Sequence, residues 1–237
     1  MDYKERKNFH ENANIPPIPH HIQKDDSYPN AAVEYRSYTP DSCSFWDKVG
    51  ACRHGNKCAK YHNKPKRSRT VVFWKIYRNP VRTYFTRNKE GGSDVALGEF
   101  VKTNVEIDEE RLRKEATRLY QDLFVELALK YGEIESILIC GNYNPHIGGN
   151  ALVKFKDERS ASKCFRECND RWYNGQPIFC ELSPVQHFDD AICKEFAAKG
   201  RCERGDQCNL IHPRKPPSEL KRMLYASQQA HFKAQEM

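Results

Sequence analysis

The chain has 237 residues, of which 38% are hydrophobic and 30% charged, with a formal net charge of +7. The apolar share lies below the roughly 45–50% of compact domains, so part of the chain is expected outside a core. No run of about 18 apolar residues occurs, which excludes a helical membrane span, and Met1-Asp2-Tyr3-Lys4-Glu5 lacks the apolar stretch of a secretory signal.

Residues 1–40 hold Pro16, Pro17, Pro19, Pro29 and Pro40 and few spaced apolar residues, and are expected to be disordered or extended. Residues 70–77 are β-branched and aromatic, a strand signal that Asn79-Pro80 ends. A polar stretch with Gly91-Gly92 follows over 81–107 and reads as a loop or insertion. From 108 to 131 the spacing of Leu112, Ala116, Leu119, Leu123, Leu127 and Tyr131 predicts a helix closed by Gly132. Strands are expected at 134–140 and 150–155, with a turn-rich loop over 142–149 between them. An amphipathic helix follows at 158–168, a hairpin turn at Asn174-Gly175 and a last strand at 178–182. The order β-α-β-β-α-β over about 115 residues is the ferredoxin-like arrangement of an RNA-recognition-motif (RRM) domain, an α+β fold. A short helix is expected from 218.

The charge is local. Residues 41–69 carry 8 basic and 2 acidic side chains, whereas residues 70–185 carry 17 of each. Such a patch suits contact with a polyanion, or equally a solvated linker. The central domain, with no net charge, need not grip phosphate.

The cysteines say more. Ten cysteines without a secretory signal argue for metal binding in a reducing compartment. Cys43, Cys52, Cys58 and His62 are spaced C-x8-C-x5-C-x3-H, and Cys193, Cys202, Cys208 and His212 repeat that spacing 150 residues later. Gly50 and Gly200, and Gly55 and Gly205, repeat with them. Three thiolates and an imidazole form a closed tetrahedral zinc set, with no position left for a substrate. Twenty residues cannot order themselves by apolar burial, whereas a structural zinc supplies on the order of 10–16 kcal/mol. Two Zn2+ are therefore expected, in two Cys3His fingers flanking the RRM-like domain. Cys140, Cys164, Cys168 and Cys180 are read as structural.

The first finger combines Phe45 and Trp46 with Arg53, Lys57, Lys60, Lys64, Lys66, Arg67 and Arg69. Aromatics for stacking and cations for phosphate suit single-stranded RNA. The second finger offers Phe196, Lys199, Arg201 and Arg204. One aromatic in each finger is open to another role, as a lid over the metal. Of the first pair, Trp46 suits the lid and Phe45 the stacker.

These residues together resemble the small subunit of the U2 auxiliary factor (U2AF). The likeness is densest at Cys-Ser-Phe (43–45), Gly-Ala-Cys-Arg-His-Gly (50–55), Ile-Tyr-Arg-Asn-Pro (76–80), Lys-Tyr-Gly-Glu (130–133), Arg-Trp-Tyr-Asn-Gly-Gln-Pro-Ile (171–178) and Glu-Leu-Ser-Pro-Val (181–185). The resemblance implies a nuclear pre-mRNA splicing factor. Its fingers would recognise the AG dinucleotide of a 3′ splice site in single-stranded pre-mRNA. Its central domain, a U2AF homology motif, would dock a large subunit to form a heterodimer. By resemblance the RNA-facing residues are Phe45, Arg53, Ala59 and Lys60 in the first finger and Leu210 in the second, where the family often has Phe. Phe196, Arg201 and Arg204 join them from the residue types. Ala59 departs from the family's serine and Lys60 from its arginine, so a hydroxyl contact is lost and a fork becomes a point charge. The partner loop is Arg171-Trp172-Tyr173, facing a helix that is usually acidic and here offers Asp122 and Glu126, while Ala128 and Leu129 occupy two further positions where acids are expected.

The aromatic platform of an RNA-binding RRM is largely missing: its places fall on Asn150, Leu152 and Val72. Of the neighbours Phe73 and Trp74, one must face the core. The expected layout is a disordered 1–40, a finger at 41–66, the RRM-like domain at 67–185, a finger at 186–214 and a helical tail at 215–237. Two alternatives remain. One is the minor-spliceosome relative of the family; the other is a protein-interaction adaptor whose fingers no longer read RNA, which Ala59 and Leu210 motivate. No nucleophile–base pair, phosphate loop or open metal position suggests an enzyme.

Overall fold

A computed structural model describes residues 41–77 and 109–235. The expectations for residues 1–40, for Asn79-Pro80, for the stretch 81–107 and for Met237 lie outside the described residues.

In chain order the elements are α1 (Ser44–Val49), β1 (Thr70–Phe73), α2 (Glu109–Lys130), β2 (Ile134–Cys140), β3 (Ala151–Phe155) and α3 (Glu158–Cys168). Then follow β4 (Trp172–Tyr173), β5 (Gln176–Pro177), β6 (Cys180–Ser183), α4 (Phe188–Ala191), α5 (Lys194–Lys199), β7 (Pro213–Arg214) and α6 (Ser218–Gln235). The main sheet runs β6-β1-β3-β2-β7 with every neighbouring pair antiparallel. The β-α-β-β-α-β order is therefore present as β1-α2-β2-β3-α3-β6. β7 adds a fifth strand that the sequence pattern did not announce.

Two boundaries differ from expectation. β1 stops at Phe73 rather than Tyr77, because Lys75 takes a positive φ of 54° and breaks the extended course. The last strand begins at Cys180 rather than Ile178. The turn Asn174-Gly175, with φ of 48° and 72°, pairs Trp172–Tyr173 with Gln176–Pro177 as a separate hairpin. The Ile178 N–H then donates to the Arg171 carbonyl instead of to β1.

Alternation along the strands sends side chains to two faces. Val71, Phe73, Ile139, Ala151, Val153 and Phe155 face α2 and α3 and form the first core with Leu119, Leu123, Phe124, Leu127, Ala161 and Cys164. Phe73 is thus the core partner of its pair, and Trp74 is half-buried on the other side. α6 closes the edge of this core. Tyr225 meets Phe124 edge-on at 4.9 Å, and the buried Gln228 amide exchanges two 2.9 Å hydrogen bonds with the Ile134 backbone, at the irregularity in β2.

The other face of the sheet is covered as well. Val72, Leu138, Cys140 and Leu152 pack with Val49 and Ala51 of the first finger and with Ala191 and Ile211 of the second. Asn150, Leu152 and Val72, the places of the missing aromatic platform, are all buried. This face serves as the seat of the fingers. Burying one Val or Ile contributes about 1.5–3 kcal/mol, whereas ordering twenty residues costs roughly 1–2 kcal/mol each in backbone entropy. The seat therefore positions each finger but does not suffice to fold it.

Candidate metal centres and nucleic-acid interface

Each finger is built by the same local device. The first cysteine caps a six-residue helix, α1 or α5, which ends on a glycine in the left-handed region, Gly50 (φ 74°) or Gly200 (φ 69°). The glycine N–H returns to the carbonyl of the residue three after the first cysteine, Trp46 or Phe196, at 2.9 Å. That residue's ring lies under the histidine. Trp46 stacks on His62 at 4.6 Å and 5°, and Phe196 stacks on His212 at 4.3 Å and 6°. The two lids are at equivalent positions. Phe196 therefore corresponds to Trp46, with one ring face covered by the histidine, and Glu195 occupies the position of Phe45.

In both fingers the ligand atoms of the three cysteines and the histidine lie within 4.8 Å of one another. The Cys52–Cys58 and Cys193–Cys202 sulfurs are 3.8 and 3.7 Å apart. Two thiolates bound about 2.3 Å from one tetrahedral centre would stand about 3.8 Å apart. His62 Nε2 and His212 Nε2 are buried without a hydrogen-bond partner. A cation at the centre of each cluster resolves both orphans, and these residues can hold a metal. The thiols show what that cation would relieve: burial pushes Cys52 and Cys208 each up to about 11. Arg204 donates to Cys193 Sγ at 3.7 Å and supplies a counter-charge at the cluster.

The second finger is held by the β2–β3 loop. Asn142 accepts from the His212 N–H at 2.8 Å and donates to the Leu210 carbonyl at 2.9 Å, and Asn144 donates to the Cys208 carbonyl at 2.9 Å. β7 begins at the residue after His212, so the last ligand runs into the sheet edge. The first finger is held at the opposite edge. Trp46 stacks on Trp74 at 6.4 Å, Lys64 pairs with Glu181 at 2.8 Å, and Ser68 donates to the Ser183 carbonyl at 2.6 Å. The fingers meet: Arg53 of the first donates to Gln207 of the second at 2.9 Å, across 154 residues of sequence.

Comparison with known proteins agrees with this architecture. The RNA recognition motif family matches residues 117–178. The chain is 40% identical over 190 residues to the splicing factor U2AF 26 kDa subunit of Rattus norvegicus, covering 80% of each chain. It is 38% identical over 185 residues to the U2af 38 kDa subunit of Drosophila melanogaster, covering 78% of this chain and 66% of that one. It is 35% identical over 191 residues to the U2AF 23 kDa subunit of Schizosaccharomyces pombe, covering 81% and 79%. The chain belongs to the U2AF small-subunit family.

The residues expected to face RNA in a U2AF small subunit separate into two groups. Phe45 (39% exposed), Arg53, Ala59 and Lys60 are all exposed in the first finger. The second finger departs from expectation. Leu210 is half-buried and packs into the second core, so the sheet takes the side chain that was expected to meet RNA. Arg204 is exposed but turned to the thiolates, Arg201 is exposed, and Phe196 serves as the histidine lid. Glu203 stands where the first finger has Arg53, and its N–H donates to Glu195 at 3.4 Å.

The residues expected at the U2AF partner site do come together. Trp172 projects from the hairpin at 51% exposure. Arg171 pairs with Glu126 at 2.7 Å, Lys130 also pairs with Glu126 at 2.7 Å, and Tyr173 donates to Asp122 at 2.8 Å. Lys130, with Arg171, holds the Glu126 carboxyl below its usual range. Both acids are thus engaged within the chain. Val125 and Leu129 are exposed on the same helix, three residues after Asp122 and Glu126 respectively. The Trp46 and Phe196 lids share the offset of three from the first cysteine, a repeat that the sequence carried. The Asn142 and Asn144 clamps carried no such signal.

Proposed function

We propose that this chain is the small subunit of a heterodimeric splicing factor acting in the nucleus. Its two fingers, each loaded with Zn2+, bind one short single-stranded RNA containing the AG of a 3′ splice site. Its central domain docks a large subunit. Bound zinc fixes the fold of each finger and, being fully ligated, has no open position for a substrate. In the first finger the exposed Phe45 ring stacks on a base, and Arg53 and Lys60 meet phosphate or base edges. On the central domain Trp172 inserts into an apolar segment of the large subunit beside Val125 and Leu129. Residues 41–66 and 186–214 act as the fingers, 67–185 as the docking domain and 215–237 as its C-terminal tail, helical over Ser218–Gln235.

The observation that most supports one RNA for two fingers is the Arg53–Gln207 contact, which places distant segments side by side. A second reading, an adaptor with little RNA affinity, draws on Glu195 and Glu203 at the positions of Phe45 and Arg53. Fluorescence anisotropy with labelled RNA decides between them. Tighter binding to an AG-containing oligonucleotide than to one with AG replaced by CC, weakening as salt rises, is expected. Equal affinity for both would remove AG recognition, and no affinity for either would favour the adaptor.

A further inference from the structure

The two fingers share one spacing but not one orientation, and the difference exposes a ring. Tyr61 and Ile211 each precede the histidine ligand. Their backbones are pinned alike. The Tyr61 N–H donates to Asp41 at 2.8 Å and its carbonyl accepts from Cys43 at 2.9 Å. The Ile211 N–H donates to Ala191 at 2.8 Å and its carbonyl accepts from Cys193 at 2.9 Å. Yet Ile211 is fully buried in the second core, whereas Tyr61 is 65% exposed. The neighbours follow suit: Ala59 and Lys60 are exposed, whereas Asn209 and Leu210 are half-buried. The second finger lays its Cys208–His212 segment on the sheet, and the first finger turns the equivalent segment to solvent.

Tyr61 is not needed as a lid, because Trp46 already covers His62. Its backbone forms a parallel bridge with Ser42, three residues before Phe45, so the exposed Phe45 and Tyr61 rings rise from adjoining backbone. Lys60 sits beside Tyr61 in sequence as an exposed cation. Exposed aromatic faces on a pinned backbone, with an exposed cation next to one of them in sequence, suit successive bases of a single strand, since every base has a face to stack and every linkage a negative charge. We propose that Tyr61 is a second base-stacking residue of the first finger, taking a different nucleotide of the strand that Phe45 contacts. The proposal rests on the reading of the first finger as an RNA-binding module.

The test uses the full zinc-loaded chain and nine-nucleotide single-stranded RNAs carrying AG, with 2-aminopurine placed at successive positions. Tyr61→Ala is expected to weaken binding about tenfold, within the range for loss of one stacked base. Tyr61→Leu should do the same, and Tyr61→Phe should bind within about twofold of the parent. The 2-aminopurine signal lost in Tyr61→Ala should lie at a different position from the one lost in Phe45→Ala. Unchanged affinity in Tyr61→Ala, with Phe45→Ala weakened, overturns the proposal and leaves RNA binding by the finger intact. Failure of the parent chain to bind RNA overturns both. Loss of large-subunit capture with RNA affinity unchanged gives the ring to a protein contact and overturns it. Loss of zinc from Tyr61→Ala and Tyr61→Leu alike overturns it in favour of a structural role.

Discussion

Asn142→Ala probes the idea that the β2–β3 loop holds the second finger in its ligating shape. Asn142 is 2% exposed, and its amide makes both clamp bonds, from the His212 N–H at 2.8 Å and to the Leu210 carbonyl at 2.9 Å. Alanine leaves a buried N–H and a buried C=O without partners. Each such group costs about 1–3 kcal/mol, so the pair costs about 2–6 kcal/mol. The Gly141 N–H still donates to the His212 carbonyl at 2.8 Å, so the strand connection persists. Because His212 belongs to the second Cys3His cluster, the loss should appear as weaker zinc binding at one site, by roughly 1.5 to 4.5 orders of magnitude if all of it falls there. A competitive titration with a chromogenic chelator resolves this. One zinc should leave early and the other should leave as in the parent. Two zincs released as in the parent, with an unchanged urea midpoint, would refute the clamp.

Phe45→Ala should cost about 1–3 kcal/mol in affinity for an AG-containing RNA, measured by anisotropy. Phe196→Ala should instead loosen the His212 ring and lower zinc retention at the second site, read by the same chelator assay. Trp172→Ala should weaken large-subunit binding by about 2 kcal/mol or more, as hot-spot aromatics do, while leaving two zincs in place. With Asp122 and Glu126 already paired inside the chain, that binding should depend weakly on salt, which calorimetry at two ionic strengths will report. Metal affinity should rise with pH. The Cys52 and Cys208 thiols, each pushed up to about 11 by burial, keep their protons at neutral pH without metal and must release them to bind it. Stability of the metal-loaded fingers is therefore lost as pH falls, and zinc release on titration from pH 7 to 4 is the check.

The local chemistry was legible from the chain alone. Ligand spacing repeats because a tetrahedral Cys3His site constrains how many residues can lie between donors, and that constraint acts over twenty residues. Helix α2 was legible for a similar reason, since Leu112, Ala116, Leu119, Leu123 and Leu127 must recur on one face to be buried. Both signals are short-range. β7 was not legible, because two residues carry no periodicity and the pairing of Pro213–Arg214 with β2 depends on where the second finger sets down His212, whose backbone bonds to Gly141 and Asn142.

Tertiary structure decided how far two copies of a repeated motif expose the same positions. By spacing the fingers are twins, yet only the first turns its Cys58–His62 segment outward; the second spends Leu210 and Ile211 on Val72, Leu138 and Leu152. The physical cause is the sheet, whose second face is apolar and must be covered, and a sequence does not state which side chains will cover it. The opening charge of +7 is affected in the same way. Composition places its excess in residues 41–69, and the fold leaves Arg53 and Lys60 of that stretch exposed, in the same finger as the exposed Phe45 and Tyr61 rings. The Cys3His clusters were thus determined locally, whereas which finger residues are left exposed was decided by how each finger lies on the sheet.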